Sequence, residues 1–133
     1  MSGGGFTLLE LLIAVVIVGI LAALAIPNFT KSIEKGKVRD AEVVLSSLHS
    51  AERVYYLDQN SYGTDANLFA NGYATNPDAG NSNPDWDYAA APAGTTFSVT
   101  ATRTGGGYNG KTIQVTQTFH GRIYGGNHPL RDQ

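Results

Sequence analysis

The chain has 133 residues, a formal net charge of −2 and no cysteine. That is room for one modest domain, and the missing thiols exclude a disulfide framework, a thiolate metal site and a cysteine nucleophile. The weak negative charge argues against a general polyanion binder, which needs a concentrated basic face.

The run from Phe6 to Ile26, FTLLELLIAVVIVGILAALAI, carries one charge, Glu10. As a helix it spans about 30 Å, enough for the hydrocarbon core of a bilayer. A cleaved secretory signal is one reading, and Ala23-Leu24-Ala25 offers its small-x-small cleavage pattern. Against it, MSGGG contains no Lys or Arg, and the run exceeds the usual apolar length of about 7–15 residues. A plain single-span anchor fits the length but leaves Glu10 without a purpose. A carboxylate in hydrocarbon costs on the order of 3 kcal/mol, and Glu is short for reaching the interface.

Gly5-Phe6-Thr7-Leu8-Leu9-Glu10 resembles the cleavage and methylation site of type IV prepilins and the related pseudopilins. Gly19 and Pro27 also match helix-weakening positions of that family's N-terminal helix. The resemblance implies that residues 1–5 are a leader, that a prepilin peptidase cuts after Gly5, and that Phe6 becomes N-methylated. MSGGG departs from the family in lacking a basic residue before that glycine. The resemblance also gives Glu10 an assembly role. Pairing it with a neighbouring subunit's N-terminal amine is favourable against leaving a bare charge in lipid, and sets an axial register.

Residues 28–57 read as an amphipathic continuation. Pro27 removes a backbone donor and is expected to kink or locally melt the helix. Ala41, Val44, Leu45, Leu48, Ala51 and Tyr55 recur at three- and four-residue steps, an apolar stripe that needs a sheet to pack on. Lys31, Glu34, Lys35, Lys37, Arg39, Asp40 and Glu42 precede or flank it, either as a solvated face or as partners for neighbouring subunits. Asn28-Phe29-Thr30 matches a glycosylation acceptor at the membrane edge of a helix, a chance match.

Residues 58–92 form a connection dense in turn signals, Asn71-Gly72 and Asn76-Pro77 among them, anchored by Leu68, Phe69 and Tyr73. Within it, Trp86-Asp87-Tyr88 reads as a first short strand. Residues 93–133 supply the sheet. Thr95 to Thr104 alternates with Phe97, Val99 and Ala101 on one face, and Thr112 to Phe119 with Ile113, Val115 and Phe119. Arg122-Ile123-Tyr124 adds a last strand. The fold class is therefore α+β, a long N-terminal helix with a transmembrane first half, packed on a small antiparallel β-meander.

Several patterns invite other chemistry. GGGYNGKT at 105–112 satisfies the phosphate-loop pattern, but Thr-Ile-Gln-Val-Thr after Lys111 has strand period, and Asn109-Gly110 is a hairpin signal. Asn76, Asp78, Asn81, Asn83, Asp85 and Asp87 are oxygen-rich. Asp78, Asp85 and Asp87 are weak calcium candidates, but turn-forming Asx residues explain the cluster more simply. His49, His120 and His128 lack metal-ligand spacing, and no nucleophile motif occurs. Tyr55, Tyr56 and Tyr62 read as core.

The resulting expectation is a non-enzymatic structural subunit of a type IV pilus-like filament, without cofactor. It would sit in the bacterial inner membrane before assembly and then join a homo-oligomeric helical filament on the cell surface. The resemblance implies a prepilin peptidase, a platform protein and an assembly ATPase as partners; no nucleic acid is inferred. The alternatives are the major pseudopilin of a type II secretion system, with a periplasmic filament, and a monomeric membrane-anchored periplasmic binding module.

Overall fold

The computed structural model describes residues 4–81, 85–118 and 123–125. It falls into two compact units that divide between Glu34 and Lys35. The first helix, α1 (Leu8–Gln59), contributes to both. Its helical backbone runs through Gly19, Pro27 and Gly36, so no local melting accompanies Pro27. Proline withholds one backbone donor, and the flanking turns keep their own bonds. The helix stops at Asn60, whose φ of 53° is the left-handed conformation that ends helices.

A second, short helix was not anticipated in the connection: α2 (Asp65–Ala70). Thr64 caps it, accepting from the Asn67 amide while the Asn67 side chain accepts from the Thr64 amide. Asparagine replaces the usual Glu or Gln at the third helical position, which hides the capping pattern in the sequence. Leu68 is buried, and Phe69 and Tyr73 pack at the edge of the core, as their apolar character in a polar segment suggests.

Four strands follow in meander order: β1 (Trp86–Ala93), β2 (Thr96–Arg103), β3 (Thr112–Thr116) and β4 (Ile123–Gly125). All pairings are antiparallel. The connecting segment thus ends at residue 85, not 92, and β1 runs five residues beyond the Trp86–Tyr88 stretch. Its Ala-Ala-Ala-Pro-Ala continuation has no strand propensity of its own. It is held by register with β2, from Trp86↔Arg103 to Ala93↔Thr96, closed by a two-residue turn in which Gly94 has φ 65°. Pro92 is tolerated because β1 is an edge strand. Phe119, the expected inward residue at the end of β3, and Arg122 before β4 lie outside the described residues, as does Asn83.

The second unit buries one continuous core. Val38, Ala41, Leu45, Leu48 and Ala51 of α1 meet Trp86, Tyr88, Ala90, Phe97, Val99, Ala101, Ile113 and Val115 of the sheet. Val44 and Tyr55 complete the expected stripe from its edge, and Val38 extends it one turn earlier. Alternation places every second strand residue inward, so the helix covers one face of the sheet.

Polar bonds tie α1 to the sheet. The Trp86 indole N–H donates to the Lys37 carbonyl at 3.0 Å, and the Tyr124 hydroxyl donates to Glu42 Oε1 at 2.6 Å. Beside Trp86, Asp85 Oδ1 lies 2.7 Å from Lys37 Nζ and 3.0 Å from Arg103 Nη1. Arg103 is buried, donates to the Asp85 and Thr104 carbonyls, and sits 5.8 Å from the Trp86 ring centroid.

These contacts, the Lys37 bond foremost, hold the Asp85 carboxyl below its ordinary range. A lowered folded value means the stabilisation is present above the ordinary aspartate range, about 3.9, and is lost as pH falls through the folded value. Asp85→Asn is expected to remove that acid-limb loss. Because Asp85 is partly exposed, the cost near neutral pH should be only about 0.2–1 kcal/mol. Thermal melts of both proteins across the acid range test this; identical acid limbs would contradict it.

Candidate assembly site

Among the described residues of the first unit, all but Glu34 are exposed. Phe6 is 87% and Leu8 90% exposed, and Leu12, Ile13, Val16, Ile20 and Leu24 are all exposed too. A helix apolar on every side must be covered by lipid or by other helices. By length and composition α1 can cross a membrane, with Glu10 near the start of the apolar stretch. Gly5 and Phe6 precede the helix and are exposed, so the peptide bond between them is open to an enzyme. Beside Gly19 an added Cβ would meet nothing within 4 Å. Packing inside the chain therefore does not require a glycine there.

Glu10 has a local role that the sequence reading missed. The Thr7 amide donates to Glu10 Oε2 at 2.9 Å, and the Thr7 hydroxyl donates to the same oxygen at 3.0 Å. The Glu10 amide donates back to Thr7 Oγ1 at 3.2 Å. This is a capping box, and its Thr-x-x-Glu spacing was there to be read in TLLE. It holds the carboxylate at the positive end of the helix dipole, against the backbone amide of Thr7.

The decoy motifs resolve into structural parts. In GGGYNGKT, Gly105, Gly106 and Gly110 all have positive φ. The Gly110 amide donates to the Arg103 carbonyl at 2.8 Å and the Arg103 amide to the Lys111 carbonyl at 2.7 Å. The Gly105 amide donates to Asn109 Oδ1 at 3.0 Å. β3 begins at Thr112, directly after Lys111, so the loop is a β-hairpin connection without the helix N-terminus that a phosphate site uses.

Among the calcium candidates, Asp85 is engaged by Lys37 and Arg103. Asp78 is pushed up, first by burial and then by Asp87, and its amide donates to Asn76 Oδ1 at 2.9 Å. Among the described residues no group of three His, Asp or Glu side chains is arranged to hold a metal. His49 packs its ring on Phe97 at 5.2 Å; His120 and His128 lie outside the described residues. Tyr62 stands 4.7 Å from Phe97 and stacks on Tyr56 at 4.6 Å, and Tyr55 meets Tyr73 edge-on at 5.0 Å. These rings line the rim of the core. Of the charges flanking the stripe, Lys37 donates to Asp85 and Glu42 accepts from Tyr124, and Glu34 and Lys35 are engaged within the chain as well.

Comparison with known proteins matches both halves of this arrangement. Residues 2–26 match the family described as the prokaryotic N-terminal methylation motif. Residues 27–113 match the family described as type IV minor pilin ComP, DNA uptake sequence receptor. The chain is similar to the type IV major pilin protein PilA of Myxococcus xanthus, 42% identical over 77 residues, or 58% of this chain and 33% of that protein. It is similar to type II secretion system core protein G of Pectobacterium carotovorum, 45% identical over 58 residues, covering 44% of this chain and 37% of the relative. The core protein G of Vibrio cholerae is 42% identical over 60 residues, 45% of this chain and 41% of its own length. The matches thus span between a third and about two-fifths of these relatives.

Proposed function

Because the chain belongs to the type IV pilin family, we propose that it is a structural subunit of a type IV pilus-like filament, assembled through its apolar N-terminal helix. The observation that carries this reading is a membrane-length helix with its apolar side chains exposed, opening on a capped Glu10 just after Gly5-Phe6. Lipid covers such a surface before assembly, and neighbouring helices cover it afterwards. In the second unit, α1 also leaves Val43, Val54 and Leu57 exposed while its other side packs the sheet. Those residues extend the apolar surface available to neighbouring subunits.

In this proposal a prepilin peptidase cuts after Gly5, and Phe6 is then N-methylated. The subunit waits in the inner membrane, and a platform protein and an ATPase drive it into a surface filament. Glu10 pairs with the Phe6 amine of a neighbour. Gly19 and Pro27 let the helix adjust as subunits stack, since each weakens a helix locally. No catalysis is assigned to the chain. A second reading, the major pseudopilin of a type II secretion system, is favoured by the core protein G relatives. It predicts short periplasmic filaments in place of long surface fibres. DNA reception, named for the matched minor pilins, is not part of the proposal: a net charge of −2 offers little counterion release.

Mass spectrometry of the N-terminus of sheared surface material tests the reading. The expected result is a chain beginning at N-methyl-Phe6. A chain beginning at Ile26, after the Ala23-Leu24-Ala25 pattern, would overturn it in favour of an ordinary secretory signal.

A further inference from the structure

Glu52 lies on α1 among residues that pack the core, and it is fully buried. A buried carboxyl is costly unless its oxygens are bonded. Oε2 accepts the Gly63 amide N–H at 3.0 Å, across the turn that joins α1 to α2. Oε1 is equally buried and, among the described residues, accepts no hydrogen bond. The turn is pressed close here. A Cβ on Gly63 would stand 3.2 Å from both the Tyr55 ring and the Asn67 Cβ, tighter than ordinary contact.

The titratable groups on the surrounding elements are few. On α1 they are His49 one turn before Glu52, Tyr55 and Tyr56 one turn after, and exposed Arg53 beside it; Tyr62 precedes Gly63 and Asp65 opens α2. Burial pushes the Glu52 carboxyl above its ordinary range, and the Gly63 amide partly offsets this. A carboxylate at this place would carry its charge with one oxygen bare.

We propose that Glu52 is a proton-linked latch on the turn at residues 60–64. The neutral acid lets the turn close over it, and the carboxylate draws the turn open to water. The device rests on the buried geometry and does not depend on filament formation. Its direction follows from linkage. A raised folded value means that closure is fully favoured below the ordinary glutamate range, about 4.3, and is lost as pH rises through the folded value.

The test uses the full chain in detergent micelles, with the Glu52 side-chain carboxyl and the Gly63 amide followed by NMR from about pH 4 to about pH 8. Glu52 is expected to titrate above the ordinary glutamate range. Protection of the Gly63 amide, corrected for intrinsic exchange, should fall by up to about tenfold per pH unit between the ordinary glutamate range and that point, and level off above it. In Glu52→Gln, which keeps the acceptor and removes the charge, protection should be independent of pH. The proposal is overturned if Glu52 titrates in the ordinary range or if wild-type protection stays constant. The same loss of protection in Glu52→Gln would equally overturn it.

Discussion

Glu10→Ala is expected to abolish filament assembly while leaving the protein in the membrane. If Glu10 pairs with a neighbour's amine as proposed, removing one member of that buried pair costs about 3–5 kcal/mol, because the amine is left uncompensated. Since about 1.4 kcal/mol is tenfold in an equilibrium constant, sheared filament should fall by at least tenfold. Alanine also removes the capping box with Thr7, so a second variant separates the two roles. Glutamine can serve at the third helical position of a capping box. Glu10→Gln should therefore keep the helix start and still fail to assemble. Wild-type filament from both variants would refute the assembly role and favour a plain membrane anchor. Assembly by Glu10→Gln alone would mean that the cap, and not the charge, is what assembly needs.

Trp86→Ala should be the most damaging single change in the second unit. Truncating a buried Trp typically costs about 3–5 kcal/mol. Here it also removes the indole bond to the Lys37 carbonyl, worth about 1 kcal/mol, and the surface on which Arg103 lies. A domain of this size has about 5–15 kcal/mol in total. Thermal melts of the full chain in micelles, followed by near-ultraviolet dichroism, should show a fall of at least about 12 °C. Trp86→Phe keeps most of the packing and loses the donor, so its fall should be several-fold smaller. A drop of only a few degrees for the alanine variant would mean that the ring carries little of the helix–sheet contact.

The family character of the chain was legible in a short stretch, because GFTLLE is a local chemical signature and the apolar run beside it has the length of a bilayer. The two central strands and the helical stripe were legible for the same reason. Periods of two and of 3.6 residues are written in neighbouring positions. The fate of GGGYNGKT could also be decided locally, from the strand period after Lys111.

What the tertiary structure alone decided depends on residues far apart in the chain. Asp85 reads as a turn-forming residue and at most a weak calcium candidate until Lys37, 48 positions away, bonds to it. The last five residues of β1 have no strand signal, and pairing with β2 makes them a strand. Nothing in the sequence marks Glu52, and only the closing of the turn at Gly63 makes it a buried acid. Sequence pattern reports which face of an element is apolar. It does not report which polar group the neighbouring element will cover, because that is set when the elements pack.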